Sequence, residues 1–141
     1  MENFLYPAKI VEDVDGRFLV TFRDIEFAVT DGETLNEAMD EASECLSEAL
    51  AGIINNNEQL PHPSKTRKGE VLISPDAVIA AKAALYLATK EAGLNKSTLS
   101  IRLGVSEAVG RRLLDPRHNT KLVNIDKALR VMGRRLVIGC T

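Results

Sequence analysis

The residues best equipped for chemistry lie in the stretch NKSTLSIRLGVSEAVGRRLLDP, Asn95 to Pro116, and just beyond it. With a helix starting after Ser106, the residues Ser106, Glu107, Gly110 and Arg111 fall on its N-terminal, outward side. There Arg111 would pair bidentately with a guanine and Glu107 would accept from cytosine N4, as a helix in the major groove does. Lys96, Ser97, Arg112, Arg117, His118 and Lys121 suit phosphate contacts, which add affinity but carry no sequence information. Such chemistry needs two short helices crossing steeply. Ser100 provides a small residue inside the first helix, and Gly104 a turn that accepts positive φ. Val105 would plug the crossing, Leu99, Leu103, Val109 and Leu113 would complete a small core, and Ser106 would cap the second helix. Gly110 costs about 1 kcal/mol of helix propensity relative to Ala; close backbone approach and simple tolerance are both readings of it. The bland alternative is a helical hairpin with a solvated charged face. The turn spacing and the local excess of arginine weigh against it.

A second set to consider is carboxylates. Two-metal nuclease chemistry requires several of them converging on divalent ions about 4 Å apart. Asp13, Asp15, Asp24 and Asp31 are available, but three of these fall in predicted turns, so no catalytic residue is assigned. Cys45 and Cys140 have no metal-ligand spacing around them, so no metal or cofactor is expected. The opening MENFLYPAKI lacks a basic stretch followed by an apolar run. No window approaches the roughly 18 apolar residues that span a bilayer. Two free thiols and no membrane segment predict a cytoplasmic protein.

The elements that must position these residues divide into an α+β pair of domains. Residues 1–64 read as β-β-β-α. Strands are predicted at Phe4 to Val11, at Arg17 to Phe22 and near Phe27 to Thr30, with a hairpin turn at Asp15-Gly16 between the first two. Thr34 and Glu37 form a T-x-x-E capping box. The helix after it carries Leu35, Ala38, Met39, Ala42, Leu46, Ala49, Leu50 and Ile53 as its buried stripe. Residues 65–74 read as a linker, in which Val71-Leu72-Ile73 is a brief strand or the lead-in to a helix. Residues 75–141 read as helical: one helix from Ser74-Pro75 to Ala92, one from about Lys96 to Leu103, one after Ser106 up to Leu114, and one capped by Asn124. A short terminal strand is predicted at the end. Its residues Arg135, Leu136, Val137 and Ile138 either pair with a second copy, building a dimer or tetramer, or pack within their own domain.

Charge separates the same halves. Residues 1–64 hold three basic and fourteen acidic side chains, a net of −11; residues 65–141 hold fifteen and six, a net of +9. One half suits a cationic partner and the other a polyanion. On the predicted N-terminal helix, Glu37, Asp40, Glu41, Glu44 and Glu48 lie mostly off the apolar stripe and are the candidate contact face. The plain alternative is a charged surface that only aids solubility, and the sheet face or strand edges would serve a partner as well.

The N-terminal pattern resembles the HicB antitoxins of type II toxin–antitoxin systems. The matching pieces are Tyr6-Pro7, Gly16 to Val20, Phe22-Arg23-Asp24-Ile25, Thr30-Asp31-Gly32-Glu33-Thr34 and Leu60-Pro61-His62-Pro63-Ser64. RLGVSEAVGRRLLDPRHNTKL resembles the DNA-binding half of the longer members. Phe27-Ala28 departs from the Gly-Ala or Glu-Ala that many members carry. The resemblance implies a truncated ribonuclease-H-like fold for the first domain. It also implies a partner, a HicA-like toxin that is small, basic and cleaves mRNA. Under it the chain is a toxin-neutralising antitoxin that represses its own operon by binding operator duplex DNA, and it is not an enzyme. The competing reading is a stand-alone helix-turn-helix regulator whose N-terminal domain senses a ligand or oligomerises.

Overall fold

A computed structural model describes residues 2–141. The chain forms two compact units, Met1–Asp76 and Ala77–Thr141.

The first unit is a four-stranded antiparallel sheet with one long helix. Its strands are β1 (Tyr6–Glu12), β2 (Phe18–Phe22), β3 (Val29–Gly32) and β4 (Glu70–Ile73), in the order β3-β2-β1-β4, and α1 (Leu35–Asn55) follows β3. Alternation along β2 sends Val20 and Phe22 inward, where they meet Ala38, Ala42, Leu46 and Leu50 of α1 in a closed core. The other sheet face carries Lys9, Val11, Leu19 and Val29, all exposed. Leu35, expected on the buried stripe, is 52% exposed in the first turn of α1. The capping box also differs by one residue. Thr34 Oγ1 accepts from the Glu37 amide at 3.1 Å as expected, but the Glu37 carboxylate accepts from the Glu33 amide, not the Thr34 amide.

Two expectations about chain organisation are corrected. The first unit is β-β-β-α-β, because β4 lies inside the stretch 65–74 that reads as a linker. Tyr6 pairs with Ile73, Ala8 with Val71 and Lys9 with Glu70, which covers an edge of β1 that would otherwise expose its amides and carbonyls. The polar path from α1 to β4 is held down at three points. Tyr6 Oη donates to the Pro61 carbonyl at 2.6 Å, Ser64 donates twice to the Asp24 carboxylate at 2.8 and 2.5 Å, and Arg23 donates to the Lys65 carbonyl. Burial pushes the Tyr6 phenol upward, so it stays a neutral donor.

The second unit contains α2 (Ala77–Glu91), α3 (Lys96–Leu103), α4 (Glu107–Leu114) and α5 (Leu122–Arg130). Its core is Ala81, Leu85, Ala88, Leu113, Ile125, Ala128 and Leu129. The second correction concerns its end. Within its own chain Arg135 to Ile138 is not a strand: no ladder partner reaches it among the described residues. It is held by the Leu136 amide donating to Asp126 Oδ1 at 2.9 Å and by the Leu136 side chain packing on the core, while Val137 and Ile138 stand exposed. Asn124 is not the cap of α5; Lys121 occupies that position without a side-chain cap bond.

Candidate nucleic-acid interface and acidic face

The α3–α4 pair is built from local signals. Asn95 opens α3 with a reciprocal box: its Oδ1 accepts from the Thr98 amide at 2.9 Å, and Thr98 Oγ1 accepts from the Asn95 amide at 2.7 Å. Gly104 closes α3 at φ 69°, and Ser106 Oγ accepts from the Val109 amide at 3.3 Å to open α4. The three intervening residues thus connect two eight-residue helices.

The crossing itself is made by Gly110 and Ser100. A Cβ on Gly110 would stand 1.8 Å from Ser100 Oγ and 3.1 Å from the Lys96 carbonyl oxygen. Gly110 therefore leaves the outward set and belongs to the contact between the helices; its propensity cost is offset by the close approach it permits. Val105 and Val109, expected to fill the crossing, are 38% and 37% exposed. The space they would have filled is taken by backbone approaching side chain. Leu99 and Leu113 are buried and Leu103 is half-buried, as the spacing predicts.

The remaining members of the set divide into three places. Glu107 and Arg111 stand exposed one turn apart on α4, with Ser106 exposed at its start. Lys96 and Ser97 occupy the exposed first turn of α3, and Arg112, Arg117 and Lys121 are exposed on α4 and the loop after it. His118 is half-buried, and its Nδ1 lies 2.9 Å from Thr120 Oγ1, which gives it a structural contact of its own.

That contact leads to a residue sequence reasoning missed. Lys82, on α2, is 2% exposed. Its Nζ donates to the Arg112 carbonyl at 2.8 Å, the Leu113 carbonyl at 2.8 Å and Thr120 Oγ1 at 2.7 Å. A cation at a helix C-terminus meets carbonyls that have no partner within the helix. Lys82 thus fixes the end of α4 to α2. Burial pushes its ammonium down to about 8, and Asp115 opposes the shift. The signal was present as a single lysine inside the apolar run AVIAAKAALYLA.

The acidic set lies on α1. Glu37, Asp40, Glu44 and Glu48 are exposed and Glu41 is half-buried, beside a Cys45 thiol that burial, then Glu41, pushes up. The carboxylates considered for metal chemistry are engaged elsewhere. Asp13 Oδ1 accepts from the Asp15 and Arg17 amides, Asp24 holds Ser64, and Asp31 pairs with Arg17 at 2.9 Å. Among the described residues no group of three or more His, Cys, Asp or Glu is arranged to hold a metal ion. No helix is long and apolar enough to cross a membrane.

Divided at residue 76, the first unit has six basic and sixteen acidic side chains and the second twelve and four, nets of −10 and +8. Comparison with known proteins agrees along most of the chain. The family described as HicB_like antitoxin of bacterial toxin-antitoxin system matches residues 5–84. Antitoxin HicB of Escherichia coli K12 is 30% identical over 131 residues, covering 93% of this chain and 95% of its own length. Antitoxin HicB 1 of Photorhabdus laumondii is 28% identical over 98% of this chain and 88% of its own length. Antitoxin HicB of Pseudomonas fluorescens is 32% identical over 76% of this chain and 74% of its own length. The chain belongs to the HicB-like antitoxin family, a regulatory component of bacterial toxin–antitoxin systems rather than an enzyme.

Proposed function

We propose that the first unit neutralises a small basic HicA-like toxin and that the second binds operator DNA as a helix-turn-helix, repressing the antitoxin's own operon. The observation that carries this reading is the division of charge between the units, −10 against +8. Complementary charge speeds association with a basic partner, and a cationic unit is drawn to phosphate. The β-β-β-α-β order supports reading the first unit as a truncated ribonuclease-H-like fold. The α1 acids, exposed Glu37, Asp40, Glu44 and Glu48 with half-buried Glu41, are the toxin-facing set. Ser106, Glu107 and Arg111 read bases, while Lys96, Ser97, Arg112, Arg117 and Lys121 hold phosphates. One such helix reads half a site, and repressors of this type bind two half-sites one helical turn apart. A second copy is therefore required, and the exposed Val137 and Ile138 beside Arg135 and Leu136 are the segment that joins the copies. The protein acts in the cytoplasm, where its toxin and operator both lie.

One paired experiment tests both halves. Asp40→Lys/Glu44→Lys in the full chain abolishes rescue of growth from a co-expressed toxin and leaves operator binding intact. Arg111→Ala does the reverse, weakening operator binding by about 1–3 kcal/mol while rescue persists. If both variants behave like the parent in both assays, the assignment of faces is wrong.

A further inference from the structure

Cations are scarce in the first unit, and they are not scattered. Of its six basic side chains, Lys9, Arg23, Arg67 and Lys68 line one open cavity of about 420 Å³, together with Thr21, Glu26, Gly69 and Glu70. The floor is the uncovered sheet face, where Lys9 stands opposite Thr21 on one side and Glu70 on the other. The wall is the turn before β4, where Gly69 adopts φ 85°.

The charges in this cavity do not cancel. Glu70 is already spent on its neighbours: it accepts from Arg23 at 2.9 and 3.0 Å and from the Arg67 amide at 2.7 Å. Lys9, Lys68 and the Arg67 guanidinium form no ion pair within 4 Å among the described residues. In a unit with sixteen acids and six bases, cations brought together without such partners are placed against the local excess. Set against Glu26, the other carboxylate of the lining, they leave two positive charges, which match a group carrying two negative charges. The volume lies within the range of small-molecule sites, roughly 300–1,000 Å³. A long nucleic-acid strand would have to run beyond the cavity over a surface with a net charge of −10. A small anion stays within one screening length, about 8 Å, of the three cations.

We propose that this cavity binds a small polyphosphorylated ligand, its phosphates held by Lys9, Arg67 and Lys68. Calorimetric and amide-resonance titrations of the full-length chain with ATP, tripolyphosphate and a single-stranded RNA ten-mer test it. ATP is expected to saturate at one per chain and to shift the Lys9, Thr21 and Gly69 amides, and tripolyphosphate is expected to compete with it for the same site. Arg67→Ala/Lys68→Ala weakens ATP by about tenfold or more with an unchanged melting temperature. The proposal is overturned if ATP fails to saturate by about 10 mM or binds the double variant equally well. It is also overturned if tripolyphosphate does not compete with ATP, or if the RNA ten-mer shifts the same amides at lower concentration.

Discussion

Each unit uses one glycine to bring a helix against its neighbour, and the two contacts differ in what a side chain would strike. At Gly32, where β3 meets α1, an added Cβ would lie 2.4 Å from the Ala38 amide nitrogen and 2.8 Å from its Cα. Both are backbone atoms inside a 21-residue helix and cannot step aside. At Gly110, where α4 meets α3, the nearest atom is the Ser100 hydroxyl at 1.8 Å, the end of a small side chain that can rotate. The same residue type is thus fixed by the backbone in one unit and by a side chain in the other. A close approach is as rigid as the atom it meets.

The largest effect that tests this contrast is Gly32→Ala. It should cost about 3 kcal/mol or more, because α1 must lift from the sheet to admit one methyl. Denaturant titration would measure the loss, and hydrogen exchange would place it in Met1–Asp76. A cost below that of Gly110→Ala would break the comparison. Next comes Lys82→Met, which keeps the buried stem and removes the three donated bonds. Leaving the Leu113 carbonyl and Thr120 without that donor should cost about 2 kcal/mol, read as a lower melting temperature and faster amide exchange at the end of α4.

Gly110→Ala should be smaller still. Overpacking costs about 1–3 kcal/mol and the gain in helix propensity returns about 1, so the net is roughly 1 kcal/mol of destabilisation. Ser100→Ala in the same chain should recover part of it, since the clashing hydroxyl is gone; no recovery would mean that Lys96 backbone, not Ser100, is the obstacle. The smallest effect is acid sensitivity, which both units share. Arg23 holds the Glu70 carboxyl below its ordinary range, and the Leu136 amide, then Arg130, does the same for Asp126. A carboxylate with a lowered native pKa contributes stability that is present above its unfolded pKa. That stability is lost as pH falls through the native value. Melting temperatures should therefore drop on acidification below the ordinary carboxylate range. Glu70→Gln and Asp126→Asn should each flatten the drop.

How far the sequence carried depended on the range of the interactions. The limits of α3 and α4, the turn at Gly104 and the cap at Ser106 were readable because each is set by residues a few positions apart. The strand β4 is legible only as one of two readings of Val71-Leu72-Ile73, and its pairing with β1 not at all, because the path into it is polar, proline-bearing and aperiodic. Its partners, Tyr6 and Asp24, lie 55 and 40 residues away from Pro61 and Ser64. Gly110 was placed on the wrong side of α4 for a similar reason: helical spacing gives an angle around the axis, but not which neighbour comes closest. The apolar run Leu136-Val137-Ile138 has the composition of a strand, and a strand needs a second one to pair with, which the described residues of its own chain do not supply.

The pairing of β4 with β1 has a consequence for anyone dividing this protein. A fragment ended at residue 64, where the polar stretch invites a cut, would lose the strand that covers one side of Tyr6–Glu12. It would leave the sheet with a bare hydrogen-bonding edge, the template from which chains add to one another in register. Such a fragment should precipitate or exchange strands between molecules, whereas one carried through Asp76 keeps the seven-residue β1 paired and ends the sheet on the four-residue β4, a shorter edge.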